Sequence, residues 1–121
     1  MDQEQSIEEQ VKDKKRIGDE FYDKKEYPQA LQTYEEALHL LPDNPILLNN
    51  KGRIKYALHQ YLEALKCFQR AVELDPNSEN VVKYNYNVVL SLEKLHAQLS
   101  QLVYSEQDEQ LIQFCNRHVL K

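Results

Sequence analysis

The stretch YPQALQTYEEALHLLPDNP, residues 27–45, decides the fold, because YLEALKCFQRAVELDPNSE at residues 61–79 repeats its pattern. Each stretch holds two alanines seven residues apart, an aromatic residue between them and a proline after the final leucines. The two glycines of the chain, Gly18 and Gly52, lie at the same spacing of 34 residues. A repeat of this length predicts a short tandem array of one structural unit.

The residue types in each unit predict a pair of closely packed helices. Alanine lets two helix axes approach to the lower end of the usual range of about 8–10 Å, and the aromatic ring fills the space beside it. Proline then ends the second helix, because it lacks an amide hydrogen and disfavours helical geometry in the residue before it. With only two glycines in 121 residues, the composition also favours helix over hairpins.

The repeated residues resemble the tetratricopeptide repeat family. They are Gly18, Phe21, Tyr27, Ala30, Tyr34, Ala37 and Pro42 in the first unit, and Gly52, Tyr61, Ala64, Phe68, Ala71 and Pro76 in the second. The resemblance covers about residues 11–78 as two full repeats. It implies an all-α fold in which antiparallel helix pairs stack into a right-handed superhelical solenoid.

Capping signals and apolar spacing predict where the helices begin and end. The predicted helices span about residues 7–24, 27–41, 45–58, 61–74, 79–102 and 105–120. The single predicted domain covers residues 1–121, with repeat 1 at about 11–44, repeat 2 at about 45–78, a degenerate third repeat at about 79–102 and a C-terminal capping helix at about 105–120.

The C-terminal third departs from the repeat, because no second helix with the alanine and proline pattern follows residue 102. The stretch KYNYN resembles the first helix of a third repeat with one inserted residue. Ser105 and Asp108 form a capping signature that predicts a new helix, which would close the end of the solenoid. Its predicted buried side chains are Leu111, Ile112, Phe114, Cys115 and Val119.

Charge and hydropathy narrow the classes of partner and compartment. A formal net charge of −5 and a pI near 5.4 argue against non-specific binding of nucleic acid, which requires a basic face. No apolar run approaches the roughly 20 residues that a membrane helix needs, and the acidic N-terminus is unlike a secretory signal. Two cysteines are too few for a disulfide framework. The sequence therefore predicts a cytoplasmic protein that binds neither nucleic acid nor membrane.

Catalysis and metal binding find little support in the sequence. Only Cys115 and His118 have the i, i+3 spacing of two ligands on one helix face, and a structural zinc site normally needs four. Neither glycine belongs to a phosphate-binding loop, and the sequence shows no cysteine with both a catalytic base and an activating environment. We predict no enzyme activity, no metal and no cofactor.

The family resemblance implies that the first helix of each pair lines a concave groove that binds extended peptides. The predicted lining consists of Lys12, Lys15, Arg16, Asp19, Tyr22, Asn49, Asn50, Arg53, Tyr56, Tyr84, Asn85 and Val88. Cations, carboxamides and tyrosines together suit a peptide backbone and an acidic or C-terminal carboxylate group. The competing interpretation is that Lys15, Arg16 and Arg53 form only the solvated face of amphipathic helices.

One co-chaperone subfamily of these repeats holds the C-terminal carboxylate of heat-shock chaperones with two asparagines and three basic residues. Lys15 and Asn50 match that pattern, whereas Asp19 stands where the pattern has asparagine. Tyr84 or Asn85 stands where the third repeat has a basic residue, and Lys83 lies nearby but is expected to face a different direction. An aspartate would repel a bound carboxylate, so the match is incomplete.

The sequence predicts a non-catalytic adaptor, scaffold or co-chaperone that is a monomer or a weak homodimer. Its partner would be a protein or peptide held in the groove. The alternative is a structural or oligomerisation module, or a secretion-type chaperone, that uses its terminal helices. An exposed stripe of Val82, Leu92, Leu99 or Phe114 would favour that alternative.

Overall fold

The computed structural model describes residues 6–118, with side chains given for residues 6–102 and for Arg117. All regular secondary structure in this part of the chain is α-helical. Its helices are α1 (Ile7–Asp23), α2 (Tyr27–Leu40), α3 (Pro45–Ala57), α4 (Tyr61–Leu74) and α5 (Val81–His118). The prediction of antiparallel helix pairs is confirmed, and the first four helices begin and end within one residue of their predicted positions.

Local signals explain where the helices begin. The Ser6 hydroxyl accepts a hydrogen bond from the Glu9 amide at 3.2 Å, which satisfies one of the free amides at the start of α1. Asn44 does the same for α3, because its side-chain oxygen accepts from the Leu47 amide at 3.1 Å. Pro28 and Pro45 lie in the first turns of α2 and α3, where a missing amide hydrogen has no cost.

The first helix of each pair ends in the same motif. At the end of α1 the Lys25 amide donates to the Tyr22 carbonyl and the Glu26 amide donates to the Phe21 carbonyl. This is the Schellman arrangement, and it places Lys25 in the left-handed region at φ 61°. His59, at φ 64°, occupies the same place at the end of α3. Glycine is the usual residue there, so both positions carry backbone strain.

Replacing Lys25 with glycine is expected to raise the free energy of unfolding by about 1 kcal/mol, because glycine adopts positive φ without a Cβ clash. The matched control is Lys24→Gly, since Lys24 has φ −83° and gains nothing from glycine. Urea denaturation of both variants measures the difference. Equal stability of the two variants would contradict the assignment of strain to Lys25.

The two helix pairs pack through glycine, alanine and one large ring each. A Cβ atom added at Gly18 would lie 3.0 Å from the Tyr34 ring, and one added at Gly52 would lie 2.5 Å from Cε1 of Phe68. The alanines of α2 and α4 are fully buried, namely Ala30, Ala37, Ala64 and Ala71. The rings therefore lie directly against the backbone of the preceding helix, as the repeat pattern predicted.

The predicted break between residues 102 and 105 is wrong. The helix backbone runs without interruption from Val81 to His118, so the degenerate third repeat and the capping helix form one element. No glycine or proline lies between Val81 and His118. Because the residues on both sides of Ser105 and Asp108 favour helix, the capping signature alone does not end the helix there. The side chains of Leu111, Ile112, Phe114 and Cys115 lie outside the described residues, as does Val119, so their predicted burial stays a prediction.

Helix α5 packs on α4 in a register that the sequence did not predict. On α3, Leu47 and Ile54 are buried and pack against residues of α2. On α5, two residues at the same spacing of seven are buried, Tyr84 at 2% and Ser91 at 0% exposure. The spacing between these pairs is 37 residues, so three residues are inserted rather than one. The connection before α5 spans residues 75–80, whereas that before α3 spans residues 41–44.

Candidate peptide-binding cleft

The first helices of the pairs, α1 and α3, form a concave wall together with the start of α5. A cleft of about 450 Å³ opens on this wall. Its lining consists of Lys15, Ile46, Asn49, Asn50, Arg53, Asn80, Lys83, Tyr84, Tyr86 and Asn87. Side chains from three separate helices thus converge in one depression, which only the stacking of the helix pairs brings together.

A hydrogen bond between two carboxamides fixes the floor of the cleft. Nδ2 of Asn87 donates to Oδ1 of Asn49 at 2.9 Å, which joins α5 to α3. Asn49 is 9% exposed, so its side chain is committed to the packing of the two helices. We therefore assign Asn49 and Asn87 to the support of the cleft.

The neighbouring Asn50 is not committed in this way. Its side chain is 8% exposed and lines the cleft, and within residues 6–102 it has no hydrogen-bond partner. Neither amide atom of Asn50 is among the fully buried, unpartnered side-chain atoms of the described residues, so both remain open to the cleft. Asn50 thus offers one donor group and one acceptor group to whatever enters the cleft.

Three cations surround Asn50, and they differ in how they are held. Nζ of Lys15 lies 2.9 Å from a carboxylate oxygen of Asp19 on the same helix. The guanidinium of Arg53 stacks over the Tyr22 ring at 4.6 Å from its centroid, which orients it without neutralising its charge. Among the described side chains, neither Arg53 nor Lys83 has a carboxylate partner. The cleft is therefore electropositive in a chain of net charge −5.

The Asp19 carboxylate is held by a residue of α2. The Tyr34 hydroxyl donates a hydrogen bond to Oδ1 of Asp19, while Oδ2 faces Lys15. Burial and this hydrogen bond raise the pKa of Tyr34 well above its ordinary value, so the hydroxyl stays protonated and remains a donor. The Asp19 carboxylate therefore stabilises the packing of α1 on α2, and Lys15 compensates much of its charge.

A smaller apolar pocket of about 160 Å³ adjoins the polar cleft. Its lining consists of Tyr22, Arg53, Tyr56, Phe68, Asn87 and Leu90. Two edge-to-face ring pairs recur 34 residues apart around it, Tyr22 with Tyr27 and Tyr56 with Tyr61, at centroid distances of 5.6 and 5.1 Å. The pocket shares Arg53 and Asn87 with the cleft.

The predicted lining residues of α1 and α3 are distributed over the cleft, the adjoining pocket and a separate depression along α1. Lys15, Asn49, Asn50 and Arg53 lie in the polar cleft, and Tyr22 and Tyr56 lie in the adjoining pocket. A shallow depression along α1 holds the other three predicted residues of that helix, Lys12, Arg16 and Asp19.

The prediction for α5 is wrong in register. Tyr84 reaches the cleft wall but is almost fully buried, so it serves mainly as a core residue. Neither Asn85, which is exposed, nor Val88, which is half-buried, lines the cleft. The reason is the longer connection before α5, which turns a different face of the helix toward α3.

The cleft residues that the sequence reasoning missed are Ile46, Asn80, Lys83, Tyr86 and Asn87, and Leu90 was missed in the pocket. One signal could have found those on α5. Tyr84 and Ser91 lie seven residues apart, as Leu47 and Ile54 do, and aligning these pairs brings Asn87 onto Asn50. A serine at a core position hides this relation in the sequence.

Residues 6–102 with Arg117 contain no group of three or more His, Cys, Asp or Glu side chains placed to hold a metal ion. The side chains of Cys115 and His118 lie outside the described residues. Burial raises the pKa of the half-buried Cys67 thiol, which disfavours the reactive thiolate. None of the described helices carries an apolar stretch of the length that crossing a lipid bilayer requires.

Comparison with known families agrees with this architecture. One sequence profile, described as TPR repeat, matches residues 18–58, and a second, described as tetratricopeptide repeat, matches residues 45–78. The chain belongs to the tetratricopeptide repeat family. Tetratricopeptide repeats form a protein-interaction fold, so the chain is a protein-interaction module.

Curated relatives share the tetratricopeptide repeats over part of their length. Human tetratricopeptide repeat protein 33 is 31% identical over 58% of this chain and 27% of its own length. Small glutamine-rich tetratricopeptide repeat-containing protein 2 of Saccharomyces cerevisiae is 31% identical over 55% of this chain and 19% of its own length. This chain therefore spans about a quarter or less of these relatives.

A solved tetratricopeptide-like structure has the same fold. The N-terminal domain of stress-induced protein-1 from C. elegans superposes with a TM-score of 0.56 at 20% identity. The match covers 80% of this chain and 87% of that domain. At this level of identity the comparison shows the common helix-pair architecture.

Proposed function

We propose that this chain is a non-catalytic adaptor that binds an acidic or C-terminal carboxylate segment of a partner protein in the cleft around Asn50. The observation that carries the proposal is the unpaired, 8% exposed Asn50 side chain among the cations of three helices. A carboxamide can donate to one group of a peptide backbone while accepting from another. The surrounding cations supply charge-assisted hydrogen bonds for a carboxylate.

The alternative that these cations are only a solvated helix face accounts less well for their arrangement. Solvated cations of amphipathic helices normally point outward and share no buried polar neighbour. Here Arg53 is held by stacking on Tyr22, and Lys83 reaches the same cleft from α5. The orientation of Arg53 is thus fixed before any ligand arrives, which reduces the entropy lost on binding.

Lys83 also strengthens the resemblance to the chaperone-tail clamp. The sequence pattern offered Lys15 and Asn50 and left Lys83 near the third-repeat position but turned differently, and the presence of Lys83 in the cleft lining supports a cation from that repeat. Asp19 remains a departure, although Lys15 and the Tyr34 hydroxyl both engage its carboxylate. A cytoplasmic co-chaperone role is therefore the narrower form of this proposal.

The test replaces Lys15, Asn50 and Arg53 together with alanine and measures binding of a peptide pool with free C-terminal carboxylates by fluorescence polarisation. We expect a loss of affinity of about 10-fold or more, because two charge-assisted contacts and one carboxamide contact are removed. The matched control is Lys66→Ala, Gln69→Ala and Arg70→Ala, which removes the same charges and one carboxamide from exposed positions on α4. Circular dichroism and the melting temperature are measured for both triple variants.

Two results would overturn the proposal. Equal affinities of the cleft variant and the wild-type chain would remove function from the cleft. Equal binding of amidated and free-acid peptides would remove the carboxylate from the recognised chemistry. A mass-spectrometric pull-down from lysate with both triple variants then identifies which full-length partners depend on the cleft.

A further inference from the structure

Helix α5 carries a line of exposed apolar side chains. They are Val82, Tyr86, Val89, Leu92 and Leu99, with exposed fractions of 72, 63, 51, 47 and 54%. Val82, Tyr86 and Val89 lie roughly opposite the buried residues Tyr84 and Ser91 on the helix, whereas Leu92 and Leu99 flank the buried side at about 60–100° from them. A contiguous apolar surface rimmed by polar residues is typical of an interaction site. We refer to these five residues as the α5 stripe.

Among the helices described, residues 7–118, none covers the α5 stripe as α2 covers α1. In the first two pairs, the ring of the second helix contacts a glycine of the first, where an added Cβ would lie 3.0 Å or less from it. No glycine follows Gly52, and the residues 34 and 37 positions beyond it are Tyr86 and Val89. Their bulk prevents an equally close approach.

The difference in length between α4 and α5 also leaves part of α5 uncovered. Helix α4 has 14 residues, about 21 Å, while α5 has 38 residues, about 57 Å. Because α4 covers only the first part of α5, the later part of the helix extends past the packed body. Leu99 lies in this later part.

The pattern of residues along the α5 stripe specifies the kind of partner. With Val82 and Val89 at position a of a heptad, position d holds Asn85, Leu92 and Leu99. β-branched residues at a with leucine at d favour a parallel, two-stranded coiled coil, whereas Asn85 at d is a polar residue that weakens the seam. The next position a holds His96, a polar residue that weakens the seam.

Charge and area agree with pairing between identical helices. The flanking positions g hold Val88 and Leu95, so two parallel copies bring no like charges together across the seam. The exposed side chains offer on the order of 400 Å² of apolar surface per copy, about half of what each partner contributes to a standard interface. Polar flanks must supply the remainder, and an interface below the standard size is typical of weak, reversible association.

We propose that two copies of this chain associate through the α5 stripe as a parallel coiled coil, which leaves both clefts open on the opposite sides. Nothing in this inference depends on the cleft, because the stripe and the cleft lie on different faces of α5 and share only Tyr86. Dimerisation would present two peptide-binding clefts in one assembly. A partner with two acidic segments would then gain avidity.

The first test is sedimentation velocity of the full chain over concentrations from about 1 to 500 μM, a range that covers weak, reversible association. We expect a concentration-dependent dimer for the wild type and a monomer for Leu92→Glu with Leu99→Glu, since buried carboxylates at d are unfavourable. The matched control is Ile7→Glu with Leu62→Glu, whose side chains are 51 and 49% exposed on other helices. His96→Leu is expected to tighten the dimer about 10-fold or more.

The second test determines the orientation of the helices. In a chain with Cys67→Ser and Cys115→Ser, either Val82→Cys or Leu99→Cys is expected to form a disulfide-linked dimer, because a parallel pair places each residue beside its own copy. A wild-type monomer at every concentration, or equal association of the Leu92 and Leu99 variant, would overturn the proposal. Absence of both cross-links would overturn the parallel arrangement.

Discussion

Replacing Phe68 with alanine is expected to lower the free energy of unfolding by about 3–5 kcal/mol. The Phe68 ring is 1% exposed and lies against the backbone of α3 at Gly52, and it also borders the apolar pocket beside the cleft. Its removal leaves a cavity between α3, α4 and α5 that rigid helices cannot close. Because domains of this size are stabilised by only about 5–15 kcal/mol, this loss is a large fraction of the total.

Urea denaturation followed by circular dichroism measures the effect of Phe68→Ala. Leu62→Ala is the control on the same helix, since Leu62 is 49% exposed and its truncation should cost well under about 1 kcal/mol. If the alanine variant does not fold, Phe68→Leu should fold with an intermediate stability, because leucine fills part of the space. A Phe68→Ala variant as stable as Leu62→Ala would contradict the packing of α4 on α3.

Gly52→Ala is expected to destabilise the chain by about 1–2 kcal/mol, although the same change in an exposed helix normally stabilises by about 1 kcal/mol. The added Cβ would lie 2.5 Å from Cε1 and 2.8 Å from Cδ1 of Phe68. The ring cannot move away freely, because it is buried among three helices. Thermal denaturation of Gly52→Ala and the wild type gives the sign of the effect directly.

Gly18→Ala provides the matched comparison within the same chain. Its Cβ would lie 3.0 Å from the Tyr34 ring, so a smaller displacement relieves the contact and the expected cost is lower than at Gly52. Combining Gly52→Ala with Phe68→Leu should recover part of the loss, since the smaller side chain vacates the contact. A Gly52→Ala variant more stable than the wild type would show that the two helices lie farther apart.

The helix boundaries of α1 to α4 could be predicted from sequence because their signals are local. Ser6 and Asn44 cap helices through side chains within three residues, and Pro28 and Pro45 occupy first turns. The spacing of 34 residues between Gly18 and Gly52 fixed which residues pack together, because each unit repeats the same contact. Neither kind of signal depends on distant parts of the chain.

The register of α5 could not be predicted in the same way. It depends on the length of the connection at residues 75–80 and on which face of the helix buries most against α4. Tyr84 and Asn85 are adjacent in sequence, yet one is core and the other is exposed, because a helix turns by about 100° per residue. A difference of two or three residues in the length of the connection therefore rotates α5, so that Tyr84 is buried while Lys83 and Asn87 line the cleft.

The sequence by itself determined the all-α repeat, the pairing of the first four helices and the side of α1 and α3 that carries Lys15, Asn50 and Arg53. Only the tertiary structure decided that Lys83 and Asn87 complete the cleft, that Asp19 is engaged by Tyr34, and that α5 continues to His118. The physical reason is the distance along the chain over which each interaction acts. Caps, prolines and periodic spacing act within a few residues, whereas the rotation of α5 and the exposure of its stripe follow from burial against helices formed elsewhere in the chain.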